Sequence, residues 1–200
     1  MDNPEQMILE VRAGTDAALG PLLDLYRNYL RLLARVEIGR RLQGKLDASD
    51  LVQETFLEAH RHFTQFRGTS EPQFVSWLRQ ILAAKVANLV RHYLGTQGRD
   101  VRLEQGLAAD LDNSSRLLGE ELVAALSSPS QQAVRREQAV LLANALERLP
   151  ADYREVIVLR HLEGLSFPEV ARRMGRTLDS VQKLWLRSLA RLRQVFGEAR

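Results

Sequence analysis

Leu19, Leu22, Tyr26, Tyr29, Leu30 and Leu33 recur at intervals of one, three and four residues, and spacing of this kind continues through nearly the whole chain. A period near 3.6 gathers such side chains on one stripe of a helix, whereas a half-buried strand alternates in twos. No segment shows that alternation or the β-branched enrichment of a strand. The fold class that follows is all-α. Periodicity falters between Gly95 and about Ser130, where Gly95, Gly98, Gly106 and Gly119 accompany Asp112-Asn113-Ser114-Ser115 and Ser127-Ser128-Pro129-Ser130. A stretch of that composition reads as a linker, with Leu117 to Leu126 as a candidate short helix inside it. The expected architecture is two small helical domains, 1–94 and 135–200, joined by a flexible linker over 95–134.

Charge is distributed unevenly across these blocks. Residues 1–94 hold 12 Lys/Arg against 11 Asp/Glu, residues 95–134 hold 3 against 6, and residues 135–200 hold 13 against 8. The linker is therefore acidic and the C-terminal block basic, which directs the search for a polyanionic partner to that end. The 200 residues include no cysteine, which excludes disulfides, thiolate zinc sites and thiol catalysis. No stretch approaches the roughly 18 apolar residues that span a bilayer, and acids precede any apolar run at the N-terminus. The expectation is a soluble, cytoplasmic protein without membrane insertion. His60, His62, His92 and His161 form no HExxH pair, and neither a Gly-rich phosphate loop nor a serine elbow is present. A helical enzyme such as a metal-dependent hydrolase finds no support there, so no catalytic residue, metal or cofactor is expected.

The strongest local signal is Ser166-Phe167-Pro168-Glu169, a capping box with proline in the first turn, where its missing N–H costs nothing. The helix it opens runs to Met174, Gly175 supplies the left-handed residue that ends it, and Thr177 caps a second helix with Ser180 at N3. A short helix, a glycine turn and a longer helix form a helix-turn-helix. On a 3.6-residue wheel, Val181, Trp185, Ser188 and Leu192 share the packing stripe of the second helix, with Leu184 and Leu189 at its margins. Asp179, Lys183, Leu186, Arg187 and Ala190 face the other way, flanked by Gln182 and Arg191. Such a mixture of cationic and hydrogen-bonding groups suits base edges and phosphates, and Arg173 on the preceding helix suits a phosphate. An ordinary solvated basic face would also be cationic, but it would not require two capped helices joined through glycine.

A second informative helix spans Ala48 to Phe63, with Val52, Phe56, Ala59 and Phe63 on one stripe. Asp50, Gln53, Glu54, Leu57, Glu58 and Arg61 fall on the other side. A polar face alone needs no explanation, but Leu57 framed by Glu54 and Glu58 suggests a small docking patch for a basic protein surface. Next come a loop, Phe66-Arg67-Gly68-Thr69-Ser70-Glu71-Pro72-Gln73, and an apolar-rich helix with Phe74, Trp77, Leu78 and Ile81. Phe74 and Trp77 share a helical face and read as core, which leaves the loop as the better candidate for holding an unpaired base. Lys85 falls near the apolar stripe of that helix, where it must snorkel or pair.

With these residues identified, the chain resembles an extracytoplasmic-function (ECF) sigma factor of the sigma-70 family over roughly Asp16 to Tyr93 and Arg136 to Phe196. Asp50-Leu51-Val52-Gln53-Glu54-Thr55-Phe56 is similar to the family's segment for docking on the polymerase clamp. Phe74-Val75-Ser76-Trp77-Leu78-Arg79-Gln80-Ile81 resembles the helix that, with its preceding loop, melts and reads the minus-ten element. Leu149-Pro150, Tyr153-Arg154-Glu155-Val156 and Leu159 resemble the opening of region four, and Ser166 to Leu192 its minus-thirty-five reader. The resemblance implies sigma region 2 over 1–94 and region 4 over 135–200. Core polymerase would be bound by Asp50, Gln53, Glu54, Leu57 and Glu58. Minus-ten DNA would be met by Arg67, Gly68, Thr69, Ser70, Glu71 and Gln73. Minus-thirty-five DNA would be met by Arg173, Arg176, Thr177, Asp179, Gln182, Lys183, Leu186 and Arg187. The partners implied are bacterial core RNA polymerase and promoter DNA, and the resemblance admits an anti-sigma factor as a third. A helix-turn-helix regulator acting without polymerase explains the C-terminal half equally well, but it leaves Asp50 to Phe56 and the acidic linker unexplained.

Overall fold

The structure is a computed structural model that describes residues 3–42, 47–94, 101–117 and 135–198. Its chain divides into two compact units, Met1–Asn113 and Ser114–Arg200. The described residues contain helices and no strand. None of these helices is long and apolar enough to cross a membrane.

The first unit contains α1 (Pro4–Arg12), α2 (Leu19–Asp24), α3 (Arg27–Leu42), α4 (Ala48–His62), α5 (Glu71–Leu94) and α6 (Val101–Arg116), the last crossing the boundary between the units. Helices α3, α4 and α5 pack on one another, and α1 lies against α2 and α5. Tyr26, Tyr29, Leu30 and Leu33, four of the residues that define the helical period, are at most 1% exposed in the core, beside Phe74, Leu78 and Leu82 of α5. Helix α4 is capped by Asp47, whose carboxylate accepts from the Ser49 N–H at 2.8 Å. The buried face of α4 is Ala48, Leu51, Val52, Thr55 and Ala59. Thr55 is buried because its hydroxyl donates to the Leu51 carbonyl of its own helix at 2.7 Å. Phe56, expected on the packing stripe, is only half-buried, beneath the Arg27 guanidinium at 5.0 Å from its ring centre.

Helix α6 occupies part of the expected linker. Leu103, Leu107 and Leu111 repeat at intervals of four, and the last two are fully buried. Gly106, Asp112 and Asn113, read as breakers, stand on its exposed side. A glycine there costs about 1 kcal/mol relative to alanine. Full burial of one leucine contributes about 1.5–3 kcal/mol, so packing outweighs propensity. Asp112 also accepts from Arg79 Nε at 2.7 Å, fastening α6 to α5. Residues 95–100 and 118–134, including nearly all of the candidate helix Leu117–Leu126, lie outside the described residues.

The second unit contains α7 (Arg135–Glu147), α8 (Ala151–Ile157, continued by a π-helical turn Val158–Leu162), α9 (Phe167–Met174) and α10 (Leu178–Glu198). Helix α10 packs on α7, α8 and α9. Its buried residues are Val181, Ser188, Leu192, Val195 and Phe196, and Ser188 satisfies its hydroxyl on the Leu184 carbonyl at 2.7 Å. The Leu149-Pro150 turn between α7 and α8 is clasped by Arg154, which donates to Glu147 at 2.8 Å and to the Leu149 carbonyl at 3.4 Å.

If α6 belongs to the first unit, Leu107→Ala should lower the stability of that unit by about 2–5 kcal/mol. Ala109→Ser, on the exposed side of the same helix, should change it by less than about 0.5 kcal/mol. Denaturant unfolding of both variants checks this, and equal effects would mean that α6 contributes no core.

Candidate functional site

In the first unit, Asp50, Gln53, Glu54 and Leu57 are all exposed along α4, on the side away from Leu51, Val52 and Thr55. Leu57 keeps 58% of its surface in water, next to the exposed Gln53 and Glu54 on the same side of the helix. Glu58 differs from its neighbours. Its carboxylate accepts from Lys85 Nζ at 2.9 Å and faces His62 Nε2 at 3.1 Å. The hydrogen bond from Lys85 and the charge of that ammonium hold the Glu58 carboxyl below its ordinary pKa. Lys85, required by its position to snorkel or pair, therefore pairs. Glu58 is turned toward α5 and is the least available acid of the face.

The loop after α4 is shorter than the sequence suggests. Helix α5 begins at Glu71, and the Ser70 carbonyl accepts the first helical hydrogen bond from the Phe74 N–H at 3.1 Å. Glu71 and Gln73 thus belong to the first turn of the helix, and both are engaged within the protein. Glu71 accepts from the buried Tyr26 hydroxyl at 3.0 Å, and Gln73 Oε1 accepts from the N–H groups of Thr69 and Ser70 at 2.9 and 3.3 Å. The loop proper is Arg67 to Ser70, with Arg67 and Thr69 exposed. It rests on a ring cluster: the Phe66 and Trp77 ring centres lie 5.1 Å apart, Phe66 and Phe74 5.5 Å, and Tyr26 and Phe74 5.6 Å. Phe74 is fully buried as expected, whereas Trp77 keeps part of its surface exposed. A Cβ on Gly68 would sit 2.4 Å from Phe66 Cζ, so only glycine lets the backbone lie this close to the ring. Arg12 of α1 donates to the Gly68 carbonyl at 3.2 Å. No sequence signal marks that contact, because 56 residues separate its partners.

In the second unit, Ser166 donates both its N–H and its hydroxyl to Glu169 Oε2, at 2.7 and 2.6 Å. Gly175 closes α9 at φ 62°, ψ 34°, the left-handed conformation that the sequence requires there. Thr177 Oγ1 accepts from the Ser180 N–H at 3.3 Å. Asp179, Gln182, Lys183, Leu186, Arg187, Ala190 and Arg191 are exposed on one side of α10. Leu186 is 60% exposed. Lys183 pairs with Asp179 at 2.8 Å, an exposed (i, i+4) contact worth a few tenths of a kcal/mol and open to exchange for a phosphate. Arg173 is exposed on α9, and Arg176 bonds Asp152 at the start of α8. Trp185 is half-buried: it stacks on His161 at 6.0 Å, donates Nε1–H to His161 Nε2 at 3.1 Å and meets Phe167 edge-on at 5.3 Å.

The model of Sigma-70 region 2 matches residues 25–97, and that of Sigma-70, region 4 matches residues 139–192. The chain is 30% identical over 178 residues to the ECF RNA polymerase sigma-E factor of Haemophilus influenzae, covering 89% of this chain and 87% of that protein. It is likewise 30% identical over 181 residues to the ECF RNA polymerase sigma-E factor of Escherichia coli strain K12, covering 89% and 86%. Among solved structures, the RsbN–BldN complex contains a chain 26% identical to this one, with 94% of this chain and 97% of that chain covered at a TM-score of 0.32.

The Glu169 cap carries a pH dependence with a defined sign. Hydrogen bonds from the Ser166 side chain and N–H hold the Glu169 carboxyl below the ordinary value of 4.5. A depressed folded-state pKa contributes stability that is complete above the unfolded value and lost as pH falls through the folded one. Glu169→Gln keeps an acceptor for Ser166 but cannot titrate, so its stability should fall less steeply than wild type below pH 4.5. Thermal melts across that range decide, and parallel curves would show that the cap does not contribute to acid sensitivity.

Proposed function

Since this chain belongs to the sigma-70 family as an ECF RNA polymerase sigma factor, we propose that its three exposed surfaces divide promoter recognition among them. The α4 face of Asp50, Gln53, Glu54 and Leu57 docks on a basic surface of core polymerase, with Glu58 contributing through its hold on Lys85. The loop Arg67–Ser70 takes an unpaired base of the minus-ten element, while Glu71 and Gln73 support the loop from the first turn of α5. The α10 face of Asp179, Gln182, Lys183, Leu186 and Arg187 enters the major groove at the minus-thirty-five element, and Arg173, Arg176 and Thr177 approach the flanking backbone. The protein works in the cytoplasm, where it binds and positions, and the polymerase performs the phosphoryl chemistry.

The observation that carries this reading is the segregation of α10. Val181, Ser188 and Leu192 are buried on one side, while Gln182, Lys183, Leu186 and Arg187 stand exposed on the other, at the end of a capped helix and a left-handed glycine turn. An amide, two cations and an apolar residue on one exposed face match the donors, phosphates and thymine methyl groups available in a major groove. A regulator acting without polymerase does not account for the region 2 match over 25–97. An anti-sigma factor would inhibit by covering Leu57 or Leu186, both exposed on the faces that have to be free to meet polymerase and promoter DNA.

Two substitutions separate the surfaces. Glu54→Arg should weaken binding to core polymerase about fivefold or more while leaving the melting temperature unchanged, because the side chain is exposed. Unaltered core affinity would remove the α4 face from the docking surface. Arg187→Ala should relax preference at one minus-thirty-five position by about 1–3 kcal/mol, read from binding isotherms across promoter variants. A uniform loss over all sequences, with a salt slope lower by about one unit, would instead identify Arg187 as a phosphate contact.

A further inference from the structure

Arg12 ends α1, a helix that lies before the region 2 match begins at residue 25. The helix is held to the first unit by Ile8 and Val11, both buried, so Arg12 projects from a fixed base. Its Nη1 donates to the Gly68 carbonyl at 3.2 Å. That carbonyl belongs to the middle of the loop Arg67–Ser70, whose other restraints come from different directions. The Phe66 ring lies under Gly68, within 2.4 Å of where a Cβ would be, and the Gln73 side chain takes the N–H groups of Thr69 and Ser70. Without Arg12, the Gly68 carbonyl would lose the hydrogen bond that ties the loop to α1, leaving the Gln73 side chain of α5 to hold the loop from its other end.

We propose that Arg12 is a positioning residue for promoter opening, its guanidinium fixing the Gly68 carbonyl so that the loop is already shaped to receive an unpaired base. The proposal rests on the reading of Arg67–Ser70 as the minus-ten contact. A loop shaped in advance needs no ordering when the base arrives, and a loop released from Arg12 must lose that freedom during opening. The contact is a solvent-exposed, charge-assisted hydrogen bond, so its loss should slow opening by about three- to tenfold rather than abolish it. Arg12→Lys keeps one charged donor and should restore part of the rate.

The test uses the full chain with core polymerase on a promoter selected by transcription from a random-sequence template library. Opening is followed by a fluorescent base analogue in the minus-ten element, on duplex templates and on templates mismatched in advance around the start site. Arg12→Ala should open duplex templates about three- to tenfold more slowly and differ little on mismatched ones, with core affinity, melting temperature and salt slope unchanged and partial recovery in Arg12→Lys. Wild-type opening by Arg12→Ala would overturn the proposal. So would a matching loss of core affinity or melting temperature, which marks a merely structural contact, or a salt slope lower by about one unit, which marks a direct phosphate contact. The double variant Arg67→Ala/Thr69→Ala, both positions exposed, is measured in parallel. If it opens duplex templates normally, the reading of the loop itself fails. If it is slow while Arg12→Ala is not, only the role of Arg12 fails.

Discussion

The ring cluster of Tyr26, Phe63, Phe66, Phe74 and Trp77 is the constraint that the first unit's working surfaces share. Phe63 follows α4, Phe66 precedes the loop, Phe74 and Trp77 belong to α5, and Tyr26 lies between α2 and α3. Neighbouring centres lie 5.1 to 6.3 Å apart, most pairs tilted or edge-on, the range in which aromatic quadrupoles attract. Through these contacts the C-terminal end of α4, which presents Leu57, and the start of α5, which supports Gly68 to Ser70, are held in one packed body. Tyr26 joins the cluster through its ring and the first turn of α5 through its hydroxyl on Glu71, so one buried side chain restrains both the apolar core and a polar helix end. A sigma factor has to grip a protein while it unpairs DNA, and under the proposed assignment the two tasks fall on adjoining parts of one cluster.

The second unit obtains its working surface by a different device. Helix α9 is stopped by a residue in the left-handed conformation and α10 is restarted by a threonine cap, so the direction of α10 is set by backbone geometry over a few residues. Burial of Val181, Ser188 and Leu192 then fixes its rotation about its own axis. Direction and rotation together determine which side chains stand outward, and the Arg176 bond to Asp152 ties the turn to α8. The pairing of Lys183 with Asp179 within that face leaves both groups in water and able to exchange partners.

Much of this was legible in the sequence because it depends on local chemistry. The all-helical class, the Ser166 cap, the Gly175 turn and the two faces of α10 each follow from residues a few positions apart, and the structure has them where the pattern puts them. Expectations failed where a distant group outweighed a local preference. The segment 101–116 looked like linker because Gly106 and Asp112-Asn113 disfavour helix, yet Leu107 and Leu111 found a place in the core and Asp112 found Arg79. Glu71 and Gln73 looked like loop residues, but both stand in the first turn of α5, where Glu71 accepts from Tyr26 and Gln73 from the loop's own N–H groups. Trp185 falls on the packing stripe with Val181, Ser188 and Leu192, yet it is only half-buried, against His161 and Phe167. Arg12 could not be singled out at all, since its partner is a backbone carbonyl and a carbonyl leaves no mark in a sequence.

The π-helical turn at Val158–Leu162 has a consequence for how such a domain can change over generations. A turn of this kind is an α-helix that has accommodated one additional residue, with the Glu163 N–H reaching back to the Val158 carbonyl. Losing that additional residue would let the segment close into regular α geometry with the helix beyond it kept in register, so the change falls on the turn itself. The side chains redistributed are those of the turn: His161, which accepts from Trp185, and Arg160, which sits over Phe167 and donates to the Leu165 carbonyl. A single-residue deletion here would thus leave the helix standing and remove side-chain ties between it and the helix-turn-helix. What the extra residue supplies is therefore the placing of Arg160 and His161 against the helix-turn-helix, while Val158, Leu159 and Leu162 fill the core whichever way the turn is wound.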